Sequence, residues 1–356
     1  METKNSKYIA ILSLCWFMAF HSAAFAATSQ RTVTDMAGRT VKIPTSVNSV
    51  FTDRFTSLLV FAIDAKLLVN ATFTINNQAK KYISPDYYQN KPITDDEDEE
   101  ILKLHPDIII VGNLQGQSTI DNANRLQKRL NIPVLVVNFT IADNIRSFKF
   151  LGLVFNRKAN AERLTTFIDK YLTPIAKKAS QLSMSSKPKI YYAEGATGLN
   201  TEPSGSIHAQ ALDYLSARNV AKTNIGDVHG MAKVSMEQIL VWNPNIVLVW
   251  TGYPSGMGLP GNASENKSTY SHITSDPIWA RIDAVKQSKV YQIPSLPFGW
   301  FDRPPSSNCI SGAVWLAAKL YPSWVTYDVN VALQEYFNLF YHVNISSKDI
   351  ASLMKK

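Results

Sequence analysis

The sequence predicts an α/β protein of two lobes with central parallel-type sheets flanked by helices, joined by one long α-helix. Three observations predict it. The first is a duplication: Glu99-Glu100-Ile101-Leu102-Lys103-Leu104-His105-Pro106-Asp107-Ile108 returns 138 positions later as Glu237-Gln238-Ile239-Leu240-Val241-Trp242-Asn243-Pro244-Asn245-Ile246. Each copy reads as a short amphipathic helix stopped by proline, then a run such as Ile108–Val111 or Ile246–Val249. A continuous apolar run of that length suits a strand covered on both faces, as in a parallel sheet between helices. The second is the stretch Ala142–Leu182 between the copies. Leu164, Phe167, Ile168, Tyr171, Leu172, Ile175, Ala179 and Leu182 recur in steps of 3 and 4, which gives one buried helical stripe. Pro174 should kink that helix by removing a donor and crowding the preceding turn. The third is the alternation of strand and helix patterns in both halves, the signature of α/β architecture.

The chain begins with a segment to be set aside from the fold. Lys4 and Lys7 precede the apolar run Tyr8–Phe20, and Ala24-Phe25-Ala26 supplies a small-x-small site, so a signal peptide cleaved after Ala26 is expected. A membrane span would need about 20 apolar residues. The expected divisions are 1–26 leader, 27–141 N-terminal lobe, 142–184 linking helix segment and 185–356 C-terminal lobe.

The 356 residues suffice for two domains with sizeable cores. The net charge of +8 falls to +7 without the leader and is spread along the chain. That spread favours anionic small partners but offers no basic stripe for nucleic acid. Only Cys309 remains after cleavage, so the fold must stand on its core. A leader without a disulfide scaffold suits a soluble periplasmic protein.

In order, 35–44 is a hairpin around Gly38, Val47–Phe51 a first core strand, Ser57–Ile63 a helix and Lys66–Ala71 a second strand. Asp95–Glu100 is an acidic first helical turn, since it lacks the glycine turn and spaced ligands of a calcium loop. Thr119–Leu130 reads as a helix and Val134–Asn138 as a strand. Past the linker come strand Lys189–Ala193, helix Ser206–Arg218, a long polar loop over 252–272 and strand Lys289–Ile293. The helices Asn308–Leu320, Val329–Tyr341 and Ser346–Met354 close the chain.

These features together resemble the substrate-binding proteins of ABC importers for iron–siderophore complexes, cobalamin and related metal compounds, the class III, helical-backbone family. The opening Asp35…Gly38-Arg39…Ile43-Pro44 is similar to the family's N-terminal hairpin, the paired helix–Pro–strand units to its signatures, and Asp276-Pro277-Ile278-Trp279…Lys289-Val290-Tyr291 to its C-lobe pattern. The likeness runs from about residue 31 to 350. It implies a monomer that holds ligand in an interlobe cleft and hands it to a permease and ATPase in the inner membrane. It also implies that Glu99 and Glu237, equivalent positions of the two copies, dock on permease arginines. No cofactor is implied, and the cargo is a metal complex. Two departures stand out: Asn156 replaces a family glycine and can take the same left-handed cap, and the 252–272 loop looks long.

Ligands of open α/β sheets sit beyond the carboxyl ends of strands, which selects loops at 53–55, 73, 112–114, 194–195, 251–253 and 298–303. Arg54 and Arg303 are the cationic candidates for an anionic chelate or oxyanion, because a guanidinium donates in a planar fork. The alternative for each is a surface or ion-pair residue. Tyr253, Trp300 and Phe301 are expected as flat walls, with core packing as the alternative, and Trp250 is read as core. His229 matches a position where some relatives ligate iron, but the 298–303 loop offers Trp300 and Phe301 in place of the tyrosine that accompanies it. Direct metal ligation by the protein is therefore doubtful.

An iron(III)–siderophore is the first expectation for the ligand. Molybdate or tungstate, cobalamin, haem and a nickel chelate are the alternatives. Gly256-Met257-Gly258-Leu259-Pro260-Gly261 fits a dinucleotide fingerprint, but no helical pattern follows it. A hydrolase using Ser204 or Ser206 with His208 lacks the G-x-S-x-G elbow, so no enzyme is expected.

Overall fold

The computed structural model describes residues 29–94, 97–222, 231–250, 252 and 263–354, with backbone alone for 263–268. The expected leader lies outside the described residues. The first half opens on the antiparallel hairpin β1 (Gln30–Thr34) and β2 (Thr40–Pro44). Asp35 holds its turn by accepting from the Ala37 and Arg39 N–H groups, and Gly38 takes the positive φ of 82° that the turn requires. Then follow β3 (Val50–Thr52), α1 (Ser57–Ile63), α2 (Asp98–Lys103), β4 (Ile108–Gly112), α3 (Gln117–Leu130) and β5 (Val134–Val137). The linking segment is α4 (Asn144–Val154), α5 (Lys158–Tyr171) and α6 (Thr173–Ser180). The second half contains β6 (Lys189–Ala193), β7 (Asn200–Thr201), α7 (Gln210–Tyr214), β8 (Arg218–Asn219), β9 (Ala232–Lys233), α8 (Met236–Trp242), β10 (Ile246–Val249), α9 (Ala263–Ser275), α10 (Asp283–Lys286), β11 (Val290–Gln292), α11 (Cys309–Leu320), α12 (Val329–Tyr341) and α13 (Ser347–Leu353).

The duplication seen in the sequence reappears in the sheets. Among the described residues, β3-β4-β5 and β11-β10-β6-β8 are two separate parallel sheets. Val50 pairs with Ile108 in the first and Ile190 with Ile246 in the second, so the two central registers coincide. So do the anchors before the strands. Asp107 accepts from the Ser49 N–H in the first half, and Asn245 accepts from the Lys189 N–H in the second. His105 (φ 45°) and Asn243 (φ 42°) both turn left-handed just before the proline that stops each helix.

Every strand of these pairs is covered on both faces. Val50, Ile108, Ile110, Leu135 and Val137 point into the same apolar cluster as Ile190, Tyr192, Ile246 and Leu248. That cluster is a layer of helices, chiefly α1, α4, α5, α6, α11 and α12. Phe51, Ile109, Val134 and Val136 face a separate outer cluster in the first half, and Tyr191, Ala193, Val247 and Val249 face one in the second. α12 reaches back to the first half, where it packs on α1, and it also packs on α5 of the linking segment. Each buried aromatic there contributes on the order of 2–3 kcal/mol of burial free energy.

The linking segment differs from a single rod. α4 ends at Phe155, Asn156 takes the left-handed conformation (φ 56°) expected of it, and α5 folds back against α4. Gly152 permits the close crossing, since a Cβ there would lie 2.5 Å from that of Ala161. From Lys158 to Ser180 the helix is nearly continuous and breaks at Leu172, beside Pro174 in the first turn of α6.

Three further expectations are corrected. Lys66–Ala71 forms only isolated bridges, because the Asn70 side chain bonds the backbone of Thr52 and Thr94 in place of a ladder. The helix expected over Ser206–Arg218 shrinks to α7, since Ser206 is engaged in a turn with Glu202 and the His208 N–H. Part of the expected 252–272 loop is α9, while 253–262 lies outside the described residues. Among the described residues no helix is long and apolar enough to cross a membrane.

Candidate ligand site

The loop after β3 is built on Asp53. Its Oδ1 accepts from the Phe55 and Thr56 N–H groups and the Thr56 hydroxyl, and its Oδ2 accepts from the Gly112 N–H at 2.7 Å. Phe55 stacks on Phe139 at 4.8 Å over Gly112, where a Cβ would stand 2.7 Å from that of Phe55. This rigid loop leaves Arg54 exposed at the strand end, as the sequence suggested.

The loop after β11 corrects the sequence reading. Trp300 and Phe301 are 0% exposed and form no rim. The Trp300 indole N–H donates to Leu296 O, and the ring packs on Phe337. Phe301 meets Tyr192 and Trp315. The sequence showed aromatics beside prolines, a pattern shared by binding rims and packed corners. What decides between them is the glycine at 312, which lets the loop lie directly on α11.

Arg303 is also buried, at 5% exposure, and it is the centre of a charged cluster. Its guanidinium contacts Asp302 and lies 3.2 Å from Glu194 and 3.3 Å from Glu202. Trp250, at the end of β10, covers it with the ring centre 4.2 Å away. The Tyr192 hydroxyl donates to Asp302 Oδ2 at 3.1 Å, and His208 Nδ1 lies 3.4 Å from the same oxygen. Burial works against the Asp302 carboxylate, but Arg303, His208 and Tyr192 outweigh it and hold the carboxyl below its ordinary range. Burial works against the guanidinium charge too, and the carboxylates more than offset it. Glu194 differs: burial is the largest influence, Glu202 and Asp302 add to it, and its carboxyl is pushed up to about 8.

The sequence missed Glu194, Glu202, Asp302 and Tyr192 as partners of Arg303. Glu194 at a strand end and Asp302 beside Arg303 were the available signals, but pairing of Glu194, Glu202 and Tyr192 across more than 100 positions leaves no local pattern. His208 aims at Asp302, while the Ser206 hydroxyl donates to Glu202. The Ser206 hydroxyl and the His208 ring thus do not pair with each other. The two halves meet beside this cluster. The Ser306 hydroxyl donates to Phe55 O, and the Ile141 N–H donates to Gln210. A crevice of about 320 Å³ lies there between Thr140–Ala142 and Gly205–Tyr214. A second crevice, about 400 Å³, runs under α3 within the first half.

Glu99 and Glu237 occupy the first turns of α2 and α8, both exposed. Their side chains are not brought into the cluster. His229 and Tyr253 lie outside the described residues.

Residues 50–297 match the family model for periplasmic binding proteins. An ABC transporter solute-binding protein from Sulfurospirillum deleyianum DSM 6946 has a similar structure, with a TM-score of 0.78 and 28% identity over 92% of this chain and 99% of that one. The molybdate-binding protein MolA of Haemophilus influenzae is 26% identical over 363 residues, covering 93% of this chain and 96% of the relative. Its molybdate-bound structure superposes with a TM-score of 0.62 at 23% identity, over 89% of this chain and 99% of that one. The haem-uptake protein IsdE of Staphylococcus aureus is 26% identical over 204 residues, 56% of this chain and 64% of the relative. With two matching parallel sheets and a helical link between them, the chain belongs to the periplasmic binding protein family and is a substrate-binding protein of the ABC-importer type.

Proposed function

We propose that the cargo is a small oxyanion of the molybdate class, captured between the two halves and delivered to an inner-membrane permease and its ATPase. The observation that carries this choice is the burial of Trp300 and Phe301. A ferric siderophore is a large, flat-sided ligand, and two of the three rings nominated to wall it, Trp300 and Phe301, are core residues. A tetrahedral oxyanion needs no such walls, only a few convergent donors. The likeness to MolA over 93% of the chain supports the same choice. Arg54, exposed after β3, and Arg303, beneath Trp250, are the cations nominated to meet it. In this reading 1–26 is a cleaved leader, 27–141 and 185–356 act as the two lobes about the 142–184 segment, and the protein works as a periplasmic monomer. Glu99 and Glu237 take the permease.

Tryptophan fluorescence and calorimetry against molybdate, tungstate, a ferric siderophore, haem, cobalamin and a nickel chelate test the choice. Molybdate or tungstate should bind with 1:1 stoichiometry and change the emission of Trp250. Binding of the siderophore, with none of either oxyanion, would overturn it.

A further inference from the structure

The charged cluster around Arg303 holds more acid than base. Asp302, Glu194 and Glu202 surround one guanidinium, and all four residues are at least 95% buried. His208 stands at the edge beside Asp302, the Tyr192 hydroxyl donates to Asp302, and Tyr191, on the opposite face of β6, donates to Gly198 O. Three carboxylates cannot all stay ionised around one cation in a water-poor site, so one must keep a proton.

The hydrogen bonds identify which one. Asp302 has the guanidinium and the Tyr192 hydroxyl. Glu202 takes the Ser206 hydroxyl at 2.8 Å, the Met231 N–H at 3.1 Å and Arg303 Nη2 at 3.3 Å. Glu194 is 0% exposed, and among the described residues the Arg303 guanidinium, with Nη1 3.2 Å from Oε1, is the close polar partner of its carboxyl; no backbone N–H or hydroxyl donates to it. A buried carboxylate that shares one guanidinium and has no hydroxyl or backbone donor of its own is the costliest of the three to ionise.

We infer that Glu194 is the positioning residue of the anion site, releasing Arg303 toward ligand when neutral and drawing it back when ionised, so that capture of an oxyanion takes up a proton. This rests on the oxyanion reading above. Glu194 ends β6 and Trp250 ends β10, so both stand at the carboxyl ends of paired strands, where an incoming anion would sit. An anion near Arg303 opposes the charge on Glu194 and strengthens its hold on the proton. Linkage then requires the converse: removing that proton weakens anion binding. The carboxyl's position at about 8 puts the change within an accessible range.

The test is calorimetric titration of the full mature protein with molybdate between about pH 6.5 and pH 9.5, in buffers of different ionisation enthalpy, beside Glu194→Gln. Molybdate remains a dianion over that range. The wild type should take up a fraction of a proton per anion near pH 8, and its affinity should fall by up to about tenfold per pH unit above it. In Glu194→Gln the uptake and the steep fall should both vanish. An unchanged pH profile in the variant, or no proton uptake in the wild type, overturns the inference. If Glu194→Gln does not fold, infrared spectra of the wild type decide: a protonated-carboxyl band present at pH 7 should be gone at about pH 9.5, and its absence at pH 7 overturns the inference. If molybdate and tungstate do not bind at all, the oxyanion reading fails by itself, and the infrared band still tests where the proton resides.

Discussion

Gly312→Ala tests whether the loop that carries Asp302 and Arg303 is seated on α11. Gly312 lies inside that helix, where alanine alone would favour folding by up to about 1 kcal/mol. Its position reverses the sign. A Cβ at 312 would lie 2.7 Å from Phe301 Cδ1 and 2.8 Å from the Trp300 carbonyl carbon, and closer still to that carbonyl's oxygen. Relaxed carbon contacts need roughly 3.5 Å, so the loop must retreat by about 0.8 Å. The backbone carbonyl cannot swing away as a side chain can, and Phe301 is held by Tyr192 and Trp315. Overpacking of this kind costs about 1–3 kcal/mol. A clash with a fixed backbone carbonyl belongs at the upper end of that range, about 2–3 kcal/mol, so against a helix gain of about 1 kcal/mol the net loss should be about 1–2 kcal/mol. Urea unfolding of the unliganded protein reads it as a lower midpoint at unchanged slope. Ligand affinity should fall in the same variant, because Arg303 moves with the loop. A variant more stable by about 1 kcal/mol with unchanged affinity would match propensity alone. It would refute the seating.

Phe340→Ala in α12 should cost about 3–5 kcal/mol in the same unfolding experiment. Its ring is fully buried and meets Phe148 of α4, Phe167 of α5 and Tyr336. A cost below about 1 kcal/mol would mean that α12 is not part of the shared core. Reversing the charge at Glu99 or Glu237 should leave ligand affinity intact and lower stimulation of the transporter's ATPase by about tenfold or more in reconstituted vesicles. Full stimulation by both variants would remove these residues from the docking surface.

The fold was legible where a local pattern carries it. The copies at 99–111 and 237–249 announced two parallel sheets because four-residue apolar runs need cover on both faces. Asn156 and Pro174 announced the breaks on either side of α5. What the pattern could not show was that α4 doubles back, since that depends on the fit of Gly152 against Ala161, a contact between helices. The candidate cluster was legible in its loops and not in its character. Strand ends selected Glu194 and the 298–303 loop, which the structure brings together around Arg303, but Trp300 and Phe301 were expected to face ligand. Their orientation is fixed by Gly312, and Arg303 is held in by Glu194 and Glu202, about a hundred positions away, together with its neighbour Asp302. Tertiary contacts of that span have no periodicity to read.

The coincidence of the two registers bears on how one scaffold yields a selective site. Superposing Val50 and Ile108 on Ile190 and Ile246 places Arg54 and Glu194 at the same point, two residues beyond the pairs Thr52–Ile110 and Tyr192–Leu248. The backbone there is the same device used twice, a strand end opening into a loop. The first half fills it with an exposed cation, held out by the Asp53 turn. The second fills it with a buried acid, held in by Arg303. An exposed guanidinium attracts an anion at long range but is screened by salt, whereas a buried ion cluster is screened little and changes state only when a proton moves. Salt should therefore weaken capture through the Arg54 side and leave the pH response of Glu194 almost unchanged. A pH response that disappeared at high salt would place the titrating group on the surface and not at Glu194.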